Sequence, residues 1–167
     1  MKKIMIVDDN YLSAEGIEKN IDWETLNAEI IHVCYNGTSA IEAMKKEPAD
    51  LIISDIEMPD LDGISMSRQA LEINPMVKII LISAYDKFEY ARRALLLGAL
   101  DYIEKPLDYA YLIQKVKNAF ALMEKEQKNL QLLKQSRPLL TEKFFREITP
   151  LPSSEAAYRL KPYLKYL

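Results

Sequence analysis

Five polar side chains from four separated stretches share one kind of position: each closes a short apolar run. Asp8 and Asp9 follow the run at 3–7, Asp55 follows Leu51-Ile52-Ile53-Ser54, Ser83 follows 78–82, and Lys105 follows 101–104. If those runs are neighbouring strands, three carboxylates, a hydroxyl and an ammonium meet at one sheet edge. Any one acid at a strand end is ordinary loop solvation. Three together raise one another's pKa and destabilise the fold unless cations offset them. Carboxylate oxygens with no thiol or imidazole among them are hard donors, suited to Mg²⁺ or Mn²⁺. A carboxylate can also be the nucleophile of a phosphoryl transfer, forming an aspartyl phosphate. That reaction needs positioning and charge neutralisation more than covalent help, which a divalent cation and Lys105 would supply. No GxxxxGK[ST] stretch occurs, so the phosphate must come from a donor other than a nucleotide held by a P-loop.

The elements that would position these groups follow from hydrophobic pattern. Runs at 3–7, 29–34, 51–54, 78–82 and 101–104 are too short for helices and read as strands, most of them buried on both faces. Between them, helical spacing appears at 11–20, 38–46, 63–73 and 88–97, and a long final helix opens at Tyr109. Punctuation agrees: Asn36-Gly37 closes the second strand, Asn74-Pro75 ends the third helix, and Gly98 stands just past the fourth. Five strand-then-helix units without a hairpin signal predict a doubly wound parallel α/β sheet. Ligands of such sheets bind beyond the carboxyl ends of the strands, where the five polar groups lie.

Composition removes other classes. Of 167 residues, 49% are hydrophobic and 28% charged, which is globular rather than disordered. The single cysteine, Cys34, excludes an internal disulfide or a CxxC pair. The single histidine, His32, sits in a strand run and leaves no two-histidine metal site and no evident Ser-His-Asp arrangement. Apolar runs of four or five residues fall far short of the ~20 that span a bilayer, and the apolar stretch before Asp8 is too short for a signal peptide. The expectation is a cytoplasmic protein with no membrane role. Residues 1–106 hold 11 Lys/Arg against 19 Asp/Glu, a net of −8, whereas 107–167 hold 11 against 6, a net of +5. A basic tail is compatible with nucleic acid, but a solvated lysine-bearing helix is the favoured account of it.

The run Val7-Asp8-Asp9, the segment Asp50-Leu51-Ile52-Ile53-Ser54-Asp55-Ile56-Glu57-Met58-Pro59, then Asp62-Gly63, Ser83-Ala84 and Lys105-Pro106 resemble the receiver domain of bacterial two-component response regulators. The resemblance covers residues 1 to about 123 with every motif in order. It implies a flavodoxin-like five-stranded sheet of order 2-1-3-4-5, and phosphorylation of Asp55 by transfer from a phosphohistidine on a sensor kinase. It further implies Asp9 and Asp55 as side-chain Mg²⁺ ligands, Asp8 as an acid acting through metal-bound water, and Glu57 as a backbone-carbonyl ligand. Lys105 would pair with the acyl phosphate, its bond to Pro106 being cis in the family. Ser83 and Tyr102 would form a switch pair, serine keeping the hydroxyl of the commoner threonine but losing its methyl. Ser83 moving towards the phosphate would vacate space into which Tyr102 could swing, a population shift rather than a refolding. From its own pattern Tyr102 reads equally as a half-buried strand aromatic, whereas a turn hydroxyl is the lesser reading of Ser83.

Past Tyr109 a 3-4 spacing runs through Ile113, Val116, Phe120 and Met123, after which 124–129 is polar nearly all round, and no proline occurs until Pro138. A polar helix leaving its domain is a linker or half of a coiled coil, expected here to about Ser136. The segment 137–147 resembles the linker after receivers of YesN-type regulators, which continue into an AraC-type DNA-binding domain. The expected organisation is a receiver at 1–123 and a helical linker at 124–167, truncated before that domain, so that DNA is contacted only through a part not in this chain. A homodimer would use either the linker helix or the face formed by the fourth helix (88–97), the fifth strand and the fifth helix. The receiver is expected to be a phosphoacceptor rather than an enzyme, beyond its own phosphoryl transfer and autodephosphorylation. Two alternatives stand beside it. One is a Mg²⁺-dependent phosphohydrolase with Asp8 as nucleophile, weakened because Asp8-Asp9-Asn10-Tyr11 departs from DxDx[TV]. The other is a receiver-like scaffold that is never phosphorylated.

Overall fold

The computed structural model describes residues 1–84 and 100–148, with the side chains of the last helix described as far as 134. The elements are β1 (Lys2–Val7), α1 (Tyr11–Asn20), β2 (Ala28–Cys34), α2 (Gly37–Lys46), β3 (Leu51–Asp55), α3 (Gly63–Ile73), β4 (Lys78–Ser83), β5 (Asp101–Glu104) and α4 (Tyr109–Ile148). The helix expected at 88–97 lies outside the described residues, so the helix opened by Tyr109 is numbered α4. The first compact unit is Met1–Ala121 and the second Leu122–Leu167.

All four strand pairings are parallel and the order is β2-β1-β3-β4-β5, as the resemblance implies. The register is what builds a site. Val7 stands beside Ser54, Asp55 beside Ile82 and Ser83 beside Glu104, so the strands end level and their last residues share one edge. β3 and β4 each run one residue further than their apolar pattern: Asp55 and Ser83 are the closing residues of strands, held by ladder pairing, and do not begin the loops. The central position of β3 explains its composition, since all five of its residues are buried.

Alternation splits the core between the two faces. Met5, Val7, Ile52, Ile79 and Leu81 pack with Ala40, Ile41 and Met44 of α2 and Ile64, Met66 and Ala70 of α3. Ile4, Ile6, Ile53, Ile80 and Ile82 point the other way; the remaining buried apolar residues include Ala14 and Ile17 of α1 and Leu112, Val116 and Ala119 of α4. Each such isoleucine contributes roughly 1.5–3 kcal/mol by leaving water. The four described helices start on side-chain caps: Asn10 for α1, Asn36 for α2, Asp62 for α3 and Asp108 for α4.

The last helix departs from expectation. α4 does not stop near Ser136 but continues through Pro138 to Ile148. Proline removes one intrahelical hydrogen bond and crowds the carbonyl four residues earlier, at about 3 kcal/mol. In a helix of 40 residues, flanked there by Leu139, Leu140, Glu142 and Lys143, that penalty does not end the element. Leu130, Leu132 and Leu133 are exposed on it. Among the described residues no helix is long and apolar enough to cross a membrane.

Candidate functional site

Each acid reaches the edge by a different local route. Asp8 follows β1, and its backbone N–H donates to the Cys34 carbonyl at 3.1 Å, extending the β1–β2 ladder by one bond. This draws the Asp8 carboxylate inward, where the residue is 1% exposed. Asp9, one position on, is exposed. Asp55 ends β3 at 7% exposure, and the next N–H, of Ile56, donates to the Ile82 carbonyl at 2.9 Å. Carboxylate oxygens of Asp8, Asp9 and Asp55 all lie within 4.8 Å of one another.

Lys105 completes the group. Its backbone N–H donates to the Ser83 carbonyl at 2.8 Å, which fixes the residue just past β5. Its ammonium then donates to Asp55 Oδ2 at 2.7 Å and to Asp8 Oδ2 at 3.2 Å. The Lys105–Pro106 peptide bond is cis, as the resemblance implies. Ser83 is fully buried at the end of β4. Tyr102 stands opposite Leu81 in the β4–β5 ladder, which puts it on the same sheet face as Leu81 and Ser83. It is half-buried and packs against the core cluster that contains Leu81.

The electrostatics correct one expectation. The Asp8 carboxyl is raised above its ordinary value chiefly by burial. The Asn10 N–H and Lys105 lower it, and the Asp55 charge is a lesser raising cause. Desolvation therefore outweighs repulsion between the acids. For Lys105, burial lowers the pKa, but the hydrogen bond it donates to Asp55 and the charges of Asp55 and Asp8 outweigh it and leave the ammonium above its usual value. The group is thus three carboxylates against one ammonium, with two acids largely removed from water. Such a donor set, all oxygen and net negative, fits a hard divalent cation.

Asn10 belongs to the site although its chemistry did not single it out. Its backbone N–H donates to Asp8 Oδ1 at 2.9 Å, while its side-chain oxygen accepts from the Leu12 and Ser13 N–H groups. One residue therefore holds the buried acid and caps α1. The available signal was an asparagine directly before a helical pattern. Glu57, expected to offer its carbonyl, is exposed in the loop after β3, and its N–H donates to Asp55 Oδ1 at 3.3 Å.

Comparison with known proteins agrees with this arrangement. The family model described as the response regulator receiver domain matches residues 4–117. The transcriptional regulatory protein YesN of Bacillus subtilis is 29% identical over 126 residues, covering 75% of this chain and 34% of the relative. The chain therefore spans about a third of that relative's length. Among solved structures, the receiver domain of AraT, a response regulator of Geobacillus stearothermophilus, has a TM-score of 0.71 at 34% identity, covering 75% of this chain and 98% of its own. CheY in the CheX–CheY–BeF3–Mg²⁺ complex of Borrelia burgdorferi has a TM-score of 0.65 at 29% identity, covering 71% and 89%. The five-stranded 2-1-3-4-5 sheet is the CheY-like flavodoxin fold, and the chain belongs to the response regulator receiver family.

Proposed function

We propose that residues 1–123 form a receiver that takes a phosphoryl group on Asp55 from a phosphohistidine of a sensor kinase, and that 124–167 form a helical linker. Through them the whole protein, in the cytoplasm, controls transcription by an AraC-type DNA-binding domain elsewhere in it. One observation carries the reading: Lys105 donates to both Asp55 and Asp8, within a cluster whose third acid, Asp9, faces solvent.

In the reaction, an Asp55 carboxylate oxygen forms a bond to phosphorus as the phosphorus–nitrogen bond breaks, and the electron pair returns to the imidazole. Lys105, already within hydrogen-bond reach, is placed to neutralise the charge of the arriving phosphoryl oxygens. Asp8, Asp9 and Asp55 side chains with the Glu57 carbonyl would hold Mg²⁺ (or Mn²⁺). When bound, that ion supplies charge neutralisation at the phosphoryl group. Mg²⁺ in the structure of the Borrelia burgdorferi CheY complex supports this choice. Ser83 would then donate to the aspartyl phosphate, and Tyr102, on the same face of the neighbouring strand, would respond to the vacated space.

The chain is a phosphoacceptor and not a turnover enzyme in this reading. The phosphohydrolase with Asp8 as nucleophile and the unphosphorylated scaffold gain no support from the site. A homodimer would form through the linker helix or the face that includes β5, the start of α4 and residues 88–97, which lie outside the described residues. The deciding test is intact mass after a small phosphodonor and Mg²⁺. An adduct of about 80 Da that disappears in Asp55→Asn supports the reading, and one that survives that substitution contradicts it.

A further inference from the structure

The loop between β3 and α3 carries Asp55 at one end and Glu57 within it, and two glycines press on it from different helices. Gly63, the first residue of α3, lies so close to β3 that a Cβ there would stand 2.1 Å from the Asp55 carbonyl oxygen. It would also stand 3.0 Å from the Asp55 carbonyl carbon and 3.0 Å from Ile56 Cα. Nothing at those positions is the yielding end of a side chain; all are backbone. The Gly63 N–H donates to the Ile56 carbonyl at 2.9 Å, closing the loop on itself. Gly37, the first residue of α2, meets the loop further along, at Leu61. A Cβ there would stand 2.4 Å from the Leu61 carbonyl oxygen and 2.9 Å from Leu61 Cβ. Leu61 is held in turn by its N–H donating to Pro59 at 2.9 Å, beside Asp60 at a φ of 69°.

Neither glycine is there for a left-handed backbone: both begin helices, and what each excludes is a side chain's volume. We infer that Gly63 and Gly37 are positioning residues that clamp the β3–α3 loop from α3 and α2, setting where the Asp55 carboxylate and the Glu57 carbonyl stand relative to Asp8 and Asp9. The inference rests on the metal and phosphoryl reading proposed above. A methyl at Gly63 must displace the backbone of Asp55 itself. A methyl at Gly37 displaces Leu61, six residues along the same loop, so its effect is smaller and has the same sign. Metal affinity is the sensitive readout, because ligands a few tenths of an ångström out of place cost binding while the hydrophobic core stays assembled.

The experiment is Mg²⁺ titration of the full chain by calorimetry, with urea unfolding of the metal-free protein recorded in parallel. Gly16→Ala is the control: a Cβ at Gly16 meets the hydroxyl end of the Tyr109 side chain at 2.6 Å, a flexible neighbour away from the acids. The expected result is a dissociation constant raised about tenfold or more in Gly63→Ala, raised by a smaller factor in Gly37→Ala, and unchanged within about twofold in Gly16→Ala. A folded Gly63→Ala that binds Mg²⁺ like the parent overturns the clamp, as does an equal loss in Gly16→Ala. If Gly63→Ala does not fold, Gly37→Ala decides alone, and parental affinity there overturns the inference. A parent that does not bind Mg²⁺ at all defeats the metal reading itself, which separates that failure from failure of the clamp.

Discussion

Lys105 and Asp55 are separated by 50 positions in the chain and by 2.7 Å in space, and the same ammonium reaches Asp8 at 3.2 Å. One lysine thus compensates two largely buried carboxylates, leaving Asp9 as the acid that faces solvent.

Removing that compensation is expected to be visible without any phosphoryl donor. Lys105→Ala removes the ammonium that reaches both Asp8 and Asp55, and metal-free stability should fall by about 2 kcal/mol. That is below the loss for a fully buried pair, because the Lys105 side chain is 25% exposed. Mg²⁺ should restore most of the loss, since it supplies the missing charge. Urea unfolding with and without Mg²⁺ checks this; a loss that Mg²⁺ leaves untouched would contradict it.

The raised Asp8 pKa has a signed consequence. A carboxyl that binds its proton more tightly in the folded state disfavours folding where it is ionised, above the raised value. That penalty disappears as pH falls through the raised value towards the ordinary carboxyl value of 3.8. Asp8→Asn should therefore make the metal-free protein more stable at neutral pH, with the gain shrinking as pH falls through the raised value and gone below the ordinary value of 3.8. The contribution of Lys105 has the opposite course. It is fully present below the ordinary lysine value of 10.5 and is lost only as pH rises through the raised value. Stability curves of parent and Asp8→Asn from pH 3 to 9 check the sign.

The strands and the acid set were legible because physics at these positions is local. Ile4 to Val7 and Leu51 to Ile53 are apolar runs that only a strand buried on both faces accommodates, and level register then delivers Asp8 and Asp55 to one edge. What stayed hidden depends on distances between elements. No pattern around Gly63 says that its missing side chain touches the Asp55 carbonyl, because the two are eight residues apart on different elements. The larger weight of burial over repulsion at Asp8 likewise needs the folded surroundings. Pro138 gave the wrong stop because local proline chemistry was outweighed by the helix on both sides.

Ser83 separates acceptance from response. Ser83→Ala should still take the phosphoryl group on Asp55, within about tenfold of the parental rate, since the nucleophile, the acids and Lys105 are intact. Addition of beryllofluoride and Mg²⁺ should shift the Tyr102 amide resonance in the parent and much less in Ser83→Ala. Equal shifts in both would remove Ser83 from the switch.

The exposed Leu130 and Leu133 lie three positions apart on α4, the spacing of one seam. Sedimentation of the chain with and without beryllofluoride should reveal a dimer in at least one state, weakened by Leu130→Asp with Leu133→Asp if the seam is the interface. A monomer in both states at all concentrations would defeat the dimer proposal.

The most direct test of the whole account weighs the intact chain after incubation with Mg²⁺ and a small phosphodonor. The account predicts one adduct of about 80 Da in the parent, absent from Asp55→Asn and absent when Mg²⁺ is chelated. An adduct retained in Asp55→Asn, or none in the parent with any donor, would contradict it.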